Sequence, residues 1–270
     1  MLNKIDKSRM ESFSSEIDNI QLSITLSSIS EGNTEGYLWS DKADETYFLW
    51  DMGNVVFYLF GRSPSQEYLE DLSGLFENRI KKKAENYGFS HFKVNNLTDI
   101  SDQSIKSVFG NNEFKILKKY FYEYEKESIG EYQSSLEELY ILDIDEEFLK
   151  STELRNLARV INEIKWMWPS FEKYYENGYG KAALVDDEIV CWCTSEYVNE
   201  GTCGIGIETL GRYRQKGIAT KTAAEFVDHC LKNDITPYWE CGAHNEPSVK
   251  LAEKLGFDKI NEYEVLLTKF

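Results

Sequence analysis

The chain predicts a two-part α/β protein, and three observations carry that prediction. Strand-like and helix-like apolar periods alternate along its 270 residues. A polar stretch over 125–138, containing Gly130, Ser134 and Ser135, separates two such series and serves as the linker. The second series includes a glycine-dotted apolar run at 202–209. It leads through the turn Tyr213-Arg214-Gln215-Lys216-Gly217-Ile218-Ala219-Thr220 into an amphipathic helix.

Composition narrows the functional classes. Hydrophobic content of 41% and aromatic content of 14% supply cores for one large or two modest domains, divided as 1–130 and 131–270. No apolar run approaches the ~20 residues a membrane helix needs, so no membrane partner is expected. The N-terminal 1–20 reads as an amphipathic helix and not a signal peptide, since it has no continuous apolar segment; a cytoplasmic location follows. A net charge of −17 argues against nucleic acid, which calls for a basic face. It serves solubility first, and it also suits a cationic substrate, because a negative field concentrates amines. The cysteines 191, 193, 203, 230 and 241 read as buried thiols. Cys191-Trp192-Cys193 leaves one residue between sulfurs where zinc motifs usually leave at least two, so no metal is expected.

In the first half, 46–61 reads as a hairpin, with aromatic and β-branched runs on either side of Asp51-Met52-Gly53-Asn54. Tyr68, Leu69, Leu72, Leu75, Phe76 and Ile80 fall at helical spacing within 65–87, and Lys81-Lys82-Lys83 complements the helix dipole at its end. A strand at 91–94, a helix at 102–109 and an aromatic strand near 114–124 follow. The order resembles a degenerate copy of the second half without its basic turn, and a covering or substrate-selecting role is assigned to it.

In the second half, a strand at 139–144 precedes helices within 145–165. Strands at 180–185 and 189–195 join through Asp186-Asp187. After the strand at 202–209, the basic turn opens a helix whose first N–H groups have no internal partner and, with the dipole, form an anion site. Gly217 lets the backbone approach a ligand without a Cβ, while Arg214 and Lys216 add positive charge. A buried strand at 237–241 leads to Asn245-Glu246-Pro247-Ser248, a helix with an N-cap asparagine and Pro247 in its first turn, closed by Gly256. One strand, 263–269, ends the chain.

The basic turn is neither a triphosphate P-loop, because Lys216 precedes Gly217, nor a Rossmann fingerprint, because Gly211 and Gly217 lack its spacing. Arg214-x-x-Gly217-x-Ala219, followed by Asn245-x-x-Ser248 and Leu255-Gly256-Phe257, resembles the GNAT superfamily of acyl-CoA N-acyltransferases over about 202–257. The long N-terminal half and the Trp239-Glu240-Cys241 strand are most similar to its zwittermicin A resistance acetyltransferase group. The resemblance implies a mixed, mostly antiparallel sheet flanked by helices, and acetyl-CoA as acyl donor. It places the coenzyme's phosphates on Arg214, Gln215, Lys216, Gly217, Ile218, Ala219 and Thr220, and the pantetheine arm beside Asn245 and Ser248. The N–H groups of Ile207 and Thr209 are assigned to the pantetheine and the thioester carbonyl. The superfamily has two strands after its last helix, so this sheet is trimmed or completed by another part of the chain.

The implied chemistry is direct attack of a small-molecule primary amine on the thioester. Glu208 is the first choice of base, since partial burial in an apolar strand would raise its proton affinity, although its side chain points opposite to Ile207 and Thr209. Glu240 is the alternative, with Tyr197 behind it. Many members carry an acid tyrosine where this chain has Ala252. The thiolate therefore leaves unaided, its pKa being about 8.5, or takes a proton from Ser248, Tyr263 or His244, the last of which also reads as a solvated loop residue. The cluster from Trp166 to Tyr175 is a wall of the acceptor site or part of the core. Two rivals stay open: a non-catalytic acyl-CoA-binding or regulatory protein, and a protein or peptide N-acetyltransferase.

Overall fold

The computed structural model describes residues 2–14, 17–110 and 113–270. The chain folds as two compact units. The first holds Met1–Glu31, Glu35–Lys118 and Tyr263–Phe270; the second holds Gly32–Thr34 and Lys119–Glu262. Residues 119–123, which precede the linker, belong to the second unit, where they pair with one of its strands.

The first unit runs β1 (Asn3–Ile5), α1 (Met10–Ser14), α2 (Ile20–Ser30), β2 (Gly36–Ser40), β3 (Thr46–Asp51), β4 (Val56–Gly61), α3 (Gln66–Leu75), α4 (Lys81–Asn86), β5 (His91–Asn96) and α5 (Asp102–Val108), and it includes the start of β6 (Lys115–Glu123). Of the N-terminal helix expected over 1–20, residues 1, 15 and 16 lie outside the described residues, and the rest holds β1, a 3-10 turn, α1 and the first residue of α2. The expected hairpin is β3–β4, in antiparallel register from Thr46↔Gly61 to Asp51↔Val56. Phe48, Trp50, Phe57 and Leu59 face one core while Leu49, Val56, Tyr58 and Phe60 face another. Burial on both faces explains a continuous aromatic run where a one-sided strand would alternate. The helix expected over 65–87 is capped by Ser65, whose hydroxyl accepts from Tyr68 N, and its middle, Phe76–Ile80, is a π turn. β4 and β5 are parallel, whereas β1–β2, β2–β3, β3–β4 and β5–β12 pair antiparallel.

The second unit continues with β7 (Tyr140–Asp143), α6 (Glu146–Leu149), α7 (Leu157–Met167), α8 (Phe171–Asn177), β8 (Gly180–Val185), β9 (Glu188–Glu196), β10 (Thr202–Thr209), α9 (Ile218–Lys232), β11 (Thr236–Gly242) and α10 (Glu246–Leu255); β12 (Asp258–Lys269) follows. Its strands lie in the order β6-β11-β10-β9-β8-β7, antiparallel except for β10 with β11. The sheet is completed by another part of the chain: residues 119–123 of β6 flank β11, while 266–269 of β12 pair with β5 in the first unit. The series β1–β6 and β7–β12 repeat one order of elements: a strand, helices, three antiparallel strands, a helical segment, a strand parallel to the last, a helix and a strand. All five cysteines are buried and free. Among the described residues no helix is long and apolar enough to cross a membrane.

Candidate active site

β10 and β11 begin as neighbours and then part. Their register covers Thr202↔Thr236, Cys203↔Pro237 and Gly204↔Tyr238, whereas β10 stays paired with β9 as far as Thr209↔Cys191. Leu210 N donates to Val190 O at 2.9 Å, so the even-numbered backbones of β10 face β9. The N–H groups of Ile207 and Thr209 therefore point into the wedge, where β11 no longer supplies acceptors.

The turn after β10 is held on its carbonyl side and open on its amide side. Lys216 O accepts from Ser135 N at 3.0 Å, from Ser134 Oγ at 3.0 Å and from Ser135 Oγ at 3.4 Å. Among the described residues, the main-chain N–H groups of 215–220 have no acceptor; the first to find one is Lys221 N, on Gly217 O at 3.0 Å. Gln215 and Gly217 take left-handed φ of 61° and 78°, and successive amides in such a turn converge as an anion nest. The space a Cβ at Gly217 would fill is taken by Gln133 O, 2.7 Å away. Glycine at this position is thus required by the chain's own linker, apart from any ligand.

Buried Glu188 anchors the near end of the turn. Its carboxylate accepts from Arg212, from Tyr213 Oη at 3.0 Å and from Asn156 Nδ2 at 2.9 Å. These bonds, led by that from Arg212, hold it below the usual carboxylate range. Arg214 Nε donates to Thr209 O at 3.1 Å, leaving its exposed guanidinium edge beside the loop. Lys216 Nζ lies 5.3 Å from the Tyr213 ring centre. Ile218 and Ala219 rest on the core formed with Val190, Cys191 and Ile207, and buried Thr220 accepts from Lys254 Nζ at 3.4 Å.

α10 borders the wedge on the same face as α9. Asn245 occupies its N-cap but makes no capping bond with its side chain, which stays exposed. Ser248 Oγ accepts from Trp239 Nε1 at 2.9 Å, tying α10 to β11. Ala252 is fully buried, with no room for a tyrosine ring. The His244 ring folds over Gly242 and is exposed. Tyr197 is buried at φ 48°, and Tyr263 belongs to the first unit.

The opposite face carries the carboxylates. Glu208 pairs with Arg159 of α7 at 3.6 Å and its side chain is 47% exposed, so the burial expected of it is absent. Glu163, one helical turn further along α7, is half-buried. Burial pushes its carboxyl up, and the neighbouring Glu208 charge adds to the effect. Glu240 binds Lys119 of β6 at 2.6 Å. Burial alone would lower that ammonium, but Glu240 outweighs it and Lys119 stays above the ordinary lysine range. The aromatic cluster divides. Trp168 and Tyr174 are core, donating to Ser195 O and Ile144 O at 3.0 Å each, while Trp166 and Tyr175 are exposed.

Glu163, Glu188 and Lys119 escaped the sequence reading, and Ser134 and Ser135 carried there only a linker role. Gly204 and Gly206 had a usable signal, since glycines two apart in a strand bare one face of it.

A parallel strand pair that splays beside an amide-lined helix start defines an acyltransferase of the GNAT type. The chain matches the GNAT acetyltransferase family over residues 15–266 and belongs to that family. It is 23% identical over 268 residues, 98% of each chain, to YdfB of Bacillus subtilis (strain 168), an uncharacterized N-acetyltransferase. Its fold is similar to that of a GCN5-related N-acetyltransferase-like protein from Streptococcus suis 89/1591, with a TM-score of 0.67 and 18% identity over 98% of this chain and 100% of that one. It is also similar to a tandem GNAT protein from the clavulanic acid biosynthesis pathway, with a TM-score of 0.57 and 8% identity over 100% of this chain and 98% of that one.

Proposed function

We propose that the protein transfers an acetyl group from acetyl-CoA to a primary amine of a small molecule. The observation that carries this reading is the run of acceptor-free amides at 215–220 beside the β10–β11 wedge. The residues present fit the coenzyme: the amides and the cations of Arg214 and Lys216 suit a diphosphate. The free amide group of Asn245 and the Ser248–Trp239 contact border the pantetheine path. When bound, acetyl-CoA supplies an acyl thioester whose C–S bond breaks as the amine N–C bond forms.

The N–H groups of Ile207 and Thr209 stabilise negative charge on the carbonyl oxygen, a preorganised donor contributing on the order of 10²–10³ in rate. Glu208 takes the amine proton, and Glu163, whose proton affinity burial raises, lies beside it. No hydroxyl is assigned to the departing sulfur, which leaves as thiolate and is protonated by solvent. The first unit, whose elements follow the same order but whose sequence lacks a counterpart of the basic turn 213–220, is read as a degenerate acyltransferase-like copy. The similarity to the zwittermicin A resistance group favours an aminated small molecule over a peptide.

The test is CoA calorimetry together with thiol release across a panel of amines. Amine-dependent thiol release supports the enzyme; tight CoA binding without turnover of any amine supports the non-catalytic reading that Ala252 motivates. Glu208→Gln is expected to lower kcat at least tenfold, on the order of a lost general base, with CoA affinity unchanged. Unchanged turnover moves the base elsewhere.

A further inference from the structure

The second unit leaves an edge of its sheet uncovered. β7 ends the strand order, and among the described residues its one neighbouring strand is β8, in register from Tyr140↔Leu184 to Asp143↔Lys181. Ile144 N donates to Gly180 O at 2.9 Å, so the main-chain groups of Tyr140 and Leu142, at even steps from it, also face β8. Those of Ile141 and Asp143 face outward, and among the described residues they have no partner. Ile141 rests on the core of Ala183, Val190 and Ile218, while Tyr140 and Leu142 lie on the other face and are 64% and 46% exposed. Free N–H and C=O groups beside exposed apolar side chains are a template for another strand, and protein edges are commonly guarded by Lys or Pro. Residues 136–147 contain neither.

Charge around the edge selects the strand that can be added. Residues 136–147 carry six carboxylates and no basic residue. Three of the six are engaged within the fold: Asp143 binds Lys181 at 2.6 Å, Asp145 accepts from Phe148 N at 2.8 Å at the start of α6, and Glu146 binds Lys150 at 2.6 Å. The carboxylates of Glu137, Glu138 and Glu147 have no ion-pair or hydrogen-bond partner among the described residues. Both ends of the strand are therefore acidic, and a groove lined by residues 145–147 and 150–153 extends that charge beyond β7. A second copy of this chain does not suit the edge. Antiparallel self-pairing sets Glu137 and Glu138 of one copy against the acidic 145–147 of the other, and like charges opposite one another destabilise a sheet. A segment with cations at both of its ends meets opposite charge at both.

We propose that β7 docks an extended basic segment of a partner protein as an added strand, its apolar centre beside Tyr140 and Leu142 and its flanking lysines or arginines facing Glu137, Glu138 and Glu147. Main-chain bonds to Ile141 and Asp143 supply affinity, and the side chains on either face supply the choice of partner. The probe is a capped peptide with a Val-Thr-Val-Thr centre and two lysines at each end, titrated by calorimetry into the full-length protein. It should bind about tenfold more tightly than the same peptide with prolines at its two middle positions, which keeps the charge and removes main-chain donors. A version with glutamates in place of the lysines should not bind. Leu142→Lys, which puts a cation on the edge, and Glu138→Lys should each weaken the lysine peptide about fivefold while leaving CoA affinity unchanged, and a melting curve on each variant confirms that it is folded. Equal binding of the proline peptide would mean that an acidic surface collects cations without strand pairing, and it overturns the inference, as does no binding of the lysine peptide. Parental affinity in either folded variant also overturns it. Concentration-dependent dimers of the parent that Leu142→Lys abolishes would give the edge to a second copy and overturn it likewise.

Discussion

Gly217 works at the smallest scale, because its φ of 78° and the 2.7 Å approach of Gln133 O exclude a side chain from both directions. A left-handed residue with a Cβ costs about 1–2 kcal/mol, and relief of the contact would rotate the amides on either side. Gly217→Ala should therefore lower Tm by a few degrees, at about 2–4 °C per kcal/mol for a chain of this size. It should also weaken CoA binding about tenfold, the effect of misplacing one charge-assisted donor. CoA calorimetry at parental affinity would sink the assignment of the loop. Glu188 acts through protons. Its folded pKa lies below the unfolded glutamate value of about 4.3, so its stabilising effect is full above that value and is lost as pH falls through the folded one. Melts of the parent and Glu188→Gln should differ most near pH 7 and converge in acid. A gap that widens below pH 4 would show that the Arg212 and Tyr213 contacts do not govern this carboxylate.

At the scale of elements, the linker is a strap and not a spacer. Ser134 and Ser135 hold Lys216 O, and Tyr132 Oη donates to Lys254 O at 3.0 Å, so the strap reaches the last turn of α10 as well. Removing both hydroxyls in Ser134→Ala/Ser135→Ala leaves one main-chain bond on that carbonyl. KM for acetyl-CoA should rise about tenfold, from hydrogen bonds worth about 1 kcal/mol each, with kcat at saturation unchanged, and Ser134→Thr should restore it. A fall in kcat alone would assign the strap to the chemistry instead. These contacts also mark the limit of sequence reasoning. α9, α10 and the basic turn were legible because their signals are local: Asn245 and Gly256 at helix ends, apolar residues at helical spacing. α2 was not, since Gln21, Thr25 and Ser28 are buried along with Leu22, Ile24, Leu26 and Ile29, which erases an amphipathic period. Ser134 with Lys216 and Asn156 with Glu188 lie 82 and 32 residues apart, and no spacing rule connects them.

At the scale of the whole molecule, the limits of the folding units differ from those of the repeated element order. β11 is an interior strand only because residues 119–123 lie beside it, in register from Tyr238↔Glu123 to Gly242↔Lys119. That segment supplies Phe121 and Tyr122, each 1% exposed, and the ammonium that binds Glu240. Burying one large aromatic contributes about 1.5–3 kcal/mol, so loss of the segment removes a large share of the ~5–15 kcal/mol that holds a domain together. It also bares the hydrogen-bonding edge of β11, an invitation to aggregate. A fragment of residues 131–270, cut at the border the linker suggests, should therefore be insoluble or unfold without a cooperative transition. A fragment of residues 115–262 keeps the β6 strand and should melt cooperatively, with CoA raising its Tm by mass action. Circular dichroism melts of the two fragments decide the matter. A cooperative, CoA-responsive 131–270 fragment would mean that β11 tolerates an open edge and that residues 119–123 are dispensable to the acyltransferase unit.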